Sequence, residues 1–166
     1  MYPFLRTLPL LLGLLLTACG GGANRQEIDL SDQVTDQPAD GIGHYVYALS
    51  LPKTISPGET LEVLMDWRTV GPADGRKRYA MEVLLDGPDR KVYYVDENQS
   101  TVGEINLVNW LNYYFPVPEN FAAGEYTVGV RLLDVGNGDA VVPLGFSEEL
   151  GMGDGFYRVA ALTVGG

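Results

Sequence analysis

The sequence predicts an all-β fold, an antiparallel sandwich of about seven to eight strands. Three observations lead there. From His44 onward, apolar residues recur at every second position, the period of a strand buried on one face. Each alternating run is bounded by Gly or Pro, which break strands and set turns. No long stretch repeats at 3.6 residues, although Glu104–Leu111 leaves room for one helical turn.

Composition narrows the function. A chain of 166 residues holds one domain of ordinary size. The 46% apolar share is too rich for a disordered chain. A net charge of −11 argues against nucleic acid as a partner, because phosphate backbones are held by clustered cations. One cysteine excludes an internal disulfide, and any triad or imidazole metal site would rest on the one histidine, His44. No cofactor, metal or catalytic residue is expected.

Residues 1–18 read as a signal peptide. Arg6 precedes an apolar run from Leu8 to Leu16. As helix, that run spans about 14 Å at ~1.5 Å per residue, too short to cross a bilayer core of about 30 Å. It ends in Leu16-Thr17-Ala18-Cys19, which resembles the lipobox of bacterial lipoproteins. The resemblance implies diacylglycerol transfer to the Cys19 thiol, cleavage before it, and acylation of the new amino group by a fatty acid such as palmitate. Several acyl chains give stable anchoring where one gives only marginal binding. Gly20 is not the Asp that retains such proteins in the inner membrane, so the resemblance points to the outer membrane of a two-membrane cell. Loss of Arg6 leaves the mature chain one unit more acidic, so the acyl chains and not the protein surface hold it at anionic lipid.

Residues 19–43 read as a lipidated flexible tether, with a glycine run, scattered acids from Glu27 to Asp40 and few aliphatics. Ile28 and Leu30 are its candidate contacts with the domain. Residues 44–166 form the domain. The first strand places Tyr45, Tyr47, Leu49 and Leu51 on one face. After the turn Ser56-Pro57-Gly58-Glu59, the next places Leu61, Val63, Met65 and Trp67 inward and Glu62, Asp66 and Arg68 outward. A polar loop over 71–77 leads to Tyr79, Met81, Val83 and Leu85, and a turn at Asp86–Asp89 to a strand over 91–95. Leu111–Val117, Gly124–Leu133, Ala140–Leu144 and Phe156–Val164 complete the set.

Tyr126 stands in Gly124-Glu125-Tyr126-Thr127-Val128, where a tyrosine corner would return its hydroxyl to upstream backbone. With Glu62–Gly71, Pro118–Asp134 and Gly153–Val159, this makes residues 44–164 resemble an immunoglobulin-like accessory domain. That domain lies C-terminal in some secreted bacterial proteins whose barrels are of the glycoside-hydrolase type. The present chain has no such barrel, so the resemblance implies the immunoglobulin-like sandwich and no enzymatic role.

Carboxylate pairs at Asp86/Asp89, Asp96/Glu97 and Glu148/Glu149 sit in turns, where solvated faces are the ordinary outcome and no cleft is implied. Asp134–Asp139 offers oxygens at alternating positions but lacks the closing glutamate of a calcium loop, and a tight hairpin uses the same residues. His44, opening a strand, is expected at the surface or the strand edge. The aromatics are the better lead. Tyr93, Tyr94, Trp110, Tyr113 and Tyr114 cluster, and neighbours on a strand face opposite ways, so one of each adjacent pair should face out. Trp110, Tyr113, Tyr114 and Tyr93 are the candidate ligand contacts, through rings that stack on sugars or anchor protein interfaces.

These readings converge on a membrane-anchored, non-enzymatic binding or interaction module of the bacterial cell envelope. Its expected partners are the membrane through the lipid anchor and an envelope protein or polysaccharide; a carbohydrate-binding module using exposed aromatics is the alternative. Substituting Cys19→Ala should abolish metabolic labelling with a fatty acid and leave uncleaved precursor; labelling and cleavage that persist at the same bond would contradict the lipobox reading.

Overall fold

The structure, a computed structural model, describes residues 23–35, 42–71, 78–95 and 108–165. Residues 1–22, which include the expected signal peptide and Cys19, residues 36–41, the polar loop over 72–77, and Asp96, Glu97 and Glu104 lie outside the described residues. Among the described residues eleven strands follow in order: β1 (Arg25–Asp29), β2 (Gly43–Pro52), β3 (Thr54–Ile55), β4 (Thr60–Val70), β5 (Tyr79–Asp86), β6 (Arg90–Val95), β7 (Val108–Pro116), β8 (Gly124–Asp134), β9 (Ala140–Val142), β10 (Gly151–Gly153) and β11 (Phe156–Val164). The eight strands expected from alternation are all present, and β1, β3 and β10 add to them. Strand β7 begins at Val108, so residues 108–111 are strand where a helical turn had room.

One sheet runs β1-β2-β4-β7, the other β10-β11-β8-β5-β6, with β3 against the end of β11 and β9 against β8. Every pair is antiparallel except β3 with β11. The two sheets form the expected β-sandwich, with the main strands β2, β4 and β7 of one sheet facing β11, β8, β5 and β6 of the other.

Between the sheets, Leu61, Val63, Met65 and Trp67 of β4 join Tyr113 and Phe115 of β7. They share one buried cluster with Met81, Val83 and Leu85 of β5 and Val128, Val130 and Leu132 of β8. The predicted inward set of β4 is thus wholly buried. The Tyr126 hydroxyl donates to the Ala122 carbonyl oxygen at 2.8 Å, as a tyrosine corner requires. It also accepts from the Asp89 N–H at 3.2 Å, and the Ala122 N–H donates to Asp89 Oδ2 at 2.7 Å. Asp89, expected to be solvated, instead joins the β5–β6 turn to the loop before β8.

Three further expectations are corrected. The tether over 19–43 is not flexible throughout: β1 pairs with β2 from Arg25 through Asp29. Its acids had suggested solvation, but alternation sends Glu27 and Asp29 to the exposed side while Ile28 packs on the core and Leu30 is buried. Gln26 Nε2 also reaches the Ala161 carbonyl of the second sheet at 2.7 Å. Second, Tyr45, Tyr47, Leu49 and Leu51 do not share a face. A bulge between Val46 and Ala48 adds one residue to β2, and one residue of slip exchanges the two faces. Val46 therefore points inward opposite Trp67, and Tyr45 lies opposite Arg68 on the outer face. Third, His44 is buried, with Nδ1 at 3.0 Å from Thr69 Oγ1 and its ring edge-on to Tyr79.

Substituting Trp67→Ala should cost about 3–5 kcal/mol in urea unfolding, the range for deleting a buried aromatic. Tyr126→Phe, which keeps the ring stacked on Phe121 but removes the corner, should cost about 1–3 kcal/mol.

Candidate functional site

The outer face of the β1-β2-β4-β7 sheet carries side chains in three rows set by register. Asp29, Ala48, Asp66 and Trp110 lie opposite one another across the four strands. The next row is Glu27, Ser50, Leu64 and Asn112. In the third, Glu62 stands opposite Tyr114, and Arg25 opposite Pro52. Strand alternation does the sorting: Leu111, Tyr113 and Phe115 of β7 turn inward, so Trp110, Asn112 and Tyr114 turn out.

Hydrogen bonds tie the rows together. Arg25 bonds Glu62 Oε2 at 3.1 Å and Ser50 Oγ at 3.0 Å, and Ser50 Oγ donates to Glu27 Oε1 at 2.6 Å. Asn112 Nδ2 donates to Glu62 Oε1 and to the Tyr114 hydroxyl, both at 2.8 Å. One polar chain therefore crosses all four strands and ends on an exposed ring.

The first row adjoins a groove. Glu27, Ile28, Asp29, Ser31, Tyr47, Ala48, Asp66 and Arg68 line about 450 Å³, within the volume range of small-molecule sites. Arg68 donates to both oxygens of Asp66, at 3.3 and 2.7 Å, and its guanidinium stacks 3.9 Å from the Tyr47 ring. The bulge in β2 puts Tyr47 in the groove wall. The bond to Asp66 raises the Arg68 pKa, so this guanidinium stays charged. Asp66 is almost wholly buried, and Arg68 supplies the positive charge that this burial requires. The Ser31 side chain and N–H hold the Asp29 carboxyl below its usual range.

The four candidate rings divide. Trp110 and Tyr114 are exposed, at 51% and 63%. Tyr113 and Tyr93 are corrected from ligand contacts to core, at 4% and 9% exposed. Tyr113 stacks along Phe115 at 6.1 Å. Tyr93 packs on the same ring at 5.0 Å and donates its hydroxyl to the Pro116 carbonyl at 2.8 Å. Burial pushes the Tyr93 phenol up to about 12. Tyr94 is the exposed member of its pair, but it belongs to the second sheet, opposite Glu82. Cys19 lies outside the described residues. Sequence reading placed Glu62, Asp66 and Arg68 on this face without assigning them a role. It set Tyr47 on one face with Leu49 and Leu51, from which the bulge displaces it, and it passed over Asn112, whose signal was its place midway between the two exposed rings.

In the loop over 134–139, Gly138 and Asp139 have positive φ of 65° and 59°, the hairpin geometry that competes with a calcium loop. On the outer face, Glu62 and Asp66 are each engaged by a guanidinium. Beside the exposed rings, the face offers amide, hydroxyl and guanidinium hydrogen-bonding groups held in fixed positions. No protein-family model matches the chain, and comparison with curated proteins returns no match.

Substituting Trp110→Ala or Tyr114→Ala should change unfolding free energy by no more than about 0.5–1 kcal/mol, as at other exposed sites. Tyr113→Ala and Tyr93→Ala should each cost about 3–5 kcal/mol. Urea titration of the four variants checks the division.

Proposed function

We propose that this protein is a non-catalytic binding module, anchored to a bacterial envelope membrane through acylated Cys19, which meets its ligand on the outer face of the β1-β2-β4-β7 sheet. The observation that carries the reading is the exposure of Trp110 and Tyr114 on one strand face, with Asn112 and Glu62 held between and beside them. Large aromatic surfaces left in water beside ordered polar groups are typical of binding sites. The sequence supports the anchor: the lipobox ends in the chain's one cysteine, directly after a short apolar run.

The engaged carboxylates favour binding over catalysis, since a general acid needs a carboxyl free to exchange its proton with substrate. The test uses the lipidated protein in detergent, passed over immobilised and delipidated envelope material. Retention is expected, with a loss of about tenfold in the Trp110→Ala/Tyr114→Ala double variant and little change in melting temperature. Equal retention of the double variant would contradict the assignment of this face.

A further inference from the structure

We infer that the ligand of this face is an extended, uncharged glycan chain, lying along Trp110, Asn112 and Tyr114 and turning across the sheet toward the groove at Tyr47 and Arg68. The inference rests on the reading of the outer face as the binding surface, and it names the chemistry of the ligand.

Length comes from the strand. Trp110 and Tyr114 are four residues apart on one face, so their Cα atoms are separated by about 13 Å at ~3.3 Å per residue. A single sugar ring does not span that separation along the strand, whereas a chain of several sugars does. The apolar C–H face of a pyranose matches the flat body of an indole or a phenol. Between the two rings stands Asn112. Both its amide bonds are donated within the protein, to Glu62 and Tyr114, which fixes the side chain. Its Oδ1 accepts no hydrogen bond among the described residues and is available to a ligand hydroxyl. The planar groups of Glu62, Arg25 and Asn112 suit a ligand that presents adjacent hydroxyls as both donors and acceptors.

Breadth comes from the register. Trp110 lies directly opposite Asp66, and Asp66 opposite Ala48 on the groove floor. Strands are about 4.8 Å apart, so the first row leads from the Trp110 ring into the 450 Å³ groove without a break in the sheet. The small Ala48 side chain leaves the floor low, while Tyr47, stacked on Arg68, forms a wall.

Charge selects against the other candidates. The face carries four carboxylates (Glu27, Asp29, Glu62, Asp66) against two guanidiniums (Arg25, Arg68), and the whole chain has a net charge of −11. An anionic polysaccharide meets repulsion both at long range and on contact. A protein partner fits less well, because protein interfaces deplete charge at their centres. Here the centre between the rings and the groove is Glu62, Asp66, Arg68 and Asn112, with Leu64 and Ala48 as its aliphatic members.

The lipidated full-length protein in detergent is titrated by calorimetry with cellohexaose, xylohexaose, mannohexaose and hexa-N-acetylchitohexaose, and with polygalacturonate as the anionic chain. Intrinsic fluorescence is followed in parallel, since Trp67 is sealed in the core and Trp110 alone of the two tryptophans meets solvent. At least one neutral hexasaccharide should bind and shift the Trp110 emission. Its monosaccharide should bind about tenfold or more weakly. Trp110→Ala, Tyr114→Ala and Asn112→Ala should each weaken binding by about fivefold to thirtyfold, at unchanged melting temperature. Tighter binding of polygalacturonate overturns the inference, as does binding that all three variants retain. If no neutral hexasaccharide binds while retention on envelope material still depends on Trp110 and Tyr114, the partner is a protein: the glycan inference falls and the binding face stands. If retention does not depend on those rings either, both fall.

Discussion

Strand β4 is paired to β2 from Leu64 to Val70 and to β7 from Thr60 to Arg68, and its alternation decides what both faces of the sheet can be. In this register Leu61, Val63, Met65 and Trp67 enter the core, and Glu62, Asp66 and Arg68 face out. A slip of one residue would send the indole of Trp67 into water and a carboxylate and a guanidinium into the apolar layer. Each of those exchanges costs several kcal/mol, because a buried charge without partners is far more expensive than an exposed apolar group. The core therefore locks the register, and the register arranges the outer face. Trp110 stands opposite Asp66, and Tyr114 opposite Glu62, because Tyr113 and Phe115 are held inside.

The rest of the sandwich supports that central strand. The Tyr126 hydroxyl and the Asp89 carboxylate join the β5–β6 turn to the loop entering β8, which fixes one end of the second sheet. At the opposite edge, β1 completes the first sheet and contributes Arg25, Glu27 and Asp29 to its outer face. The segment after it is also held, by the Leu30 N–H bonded to the Tyr47 carbonyl and by a bridge from Val34 to Phe146. Chain that follows within a few residues of Cys19, the proposed acylation site, thus forms part of the proposed binding surface. The bulge in β2 has a local consequence of the same kind: one inserted residue brings Tyr47 beside Arg68 and gives the groove its wall.

Period two made most of this legible in the sequence. Eight strands, the inward row of β4 and the tyrosine corner all follow from local patterns of one or two residues. Alternation also showed that one of Tyr113 and Tyr114 must face out, though not which one. That choice depends on the pairing of β7 with β4, which residue spacing within one strand does not carry. The same limit hid the burial of Tyr93, whose hydroxyl finds its acceptor at Pro116, 23 residues away in sequence. Strand β1 was obscured by composition. Its acids alternate with Gln26 and Ile28, and an edge strand with one wet face reads as solvated chain unless its partner is known. The bulge was silent for a different reason, since Val46-Tyr47-Ala48 contains neither Gly nor Pro. The resemblance of Leu16-Thr17-Ala18-Cys19 to a lipobox, in contrast, is a reading of sequence alone and owes nothing to the fold.

The most direct measurement is backbone amide chemical-shift mapping of the isotopically labelled protein during titration with a soluble neutral hexasaccharide that it binds. The account predicts saturating shifts along residues 62–68 of β4 and 110–114 of β7, extending to Tyr47 and Ala48, with the amides of β5, β8 and β11 unmoved. Shifts concentrated instead on the second sheet, around Tyr94 and Glu82 for example, would contradict it.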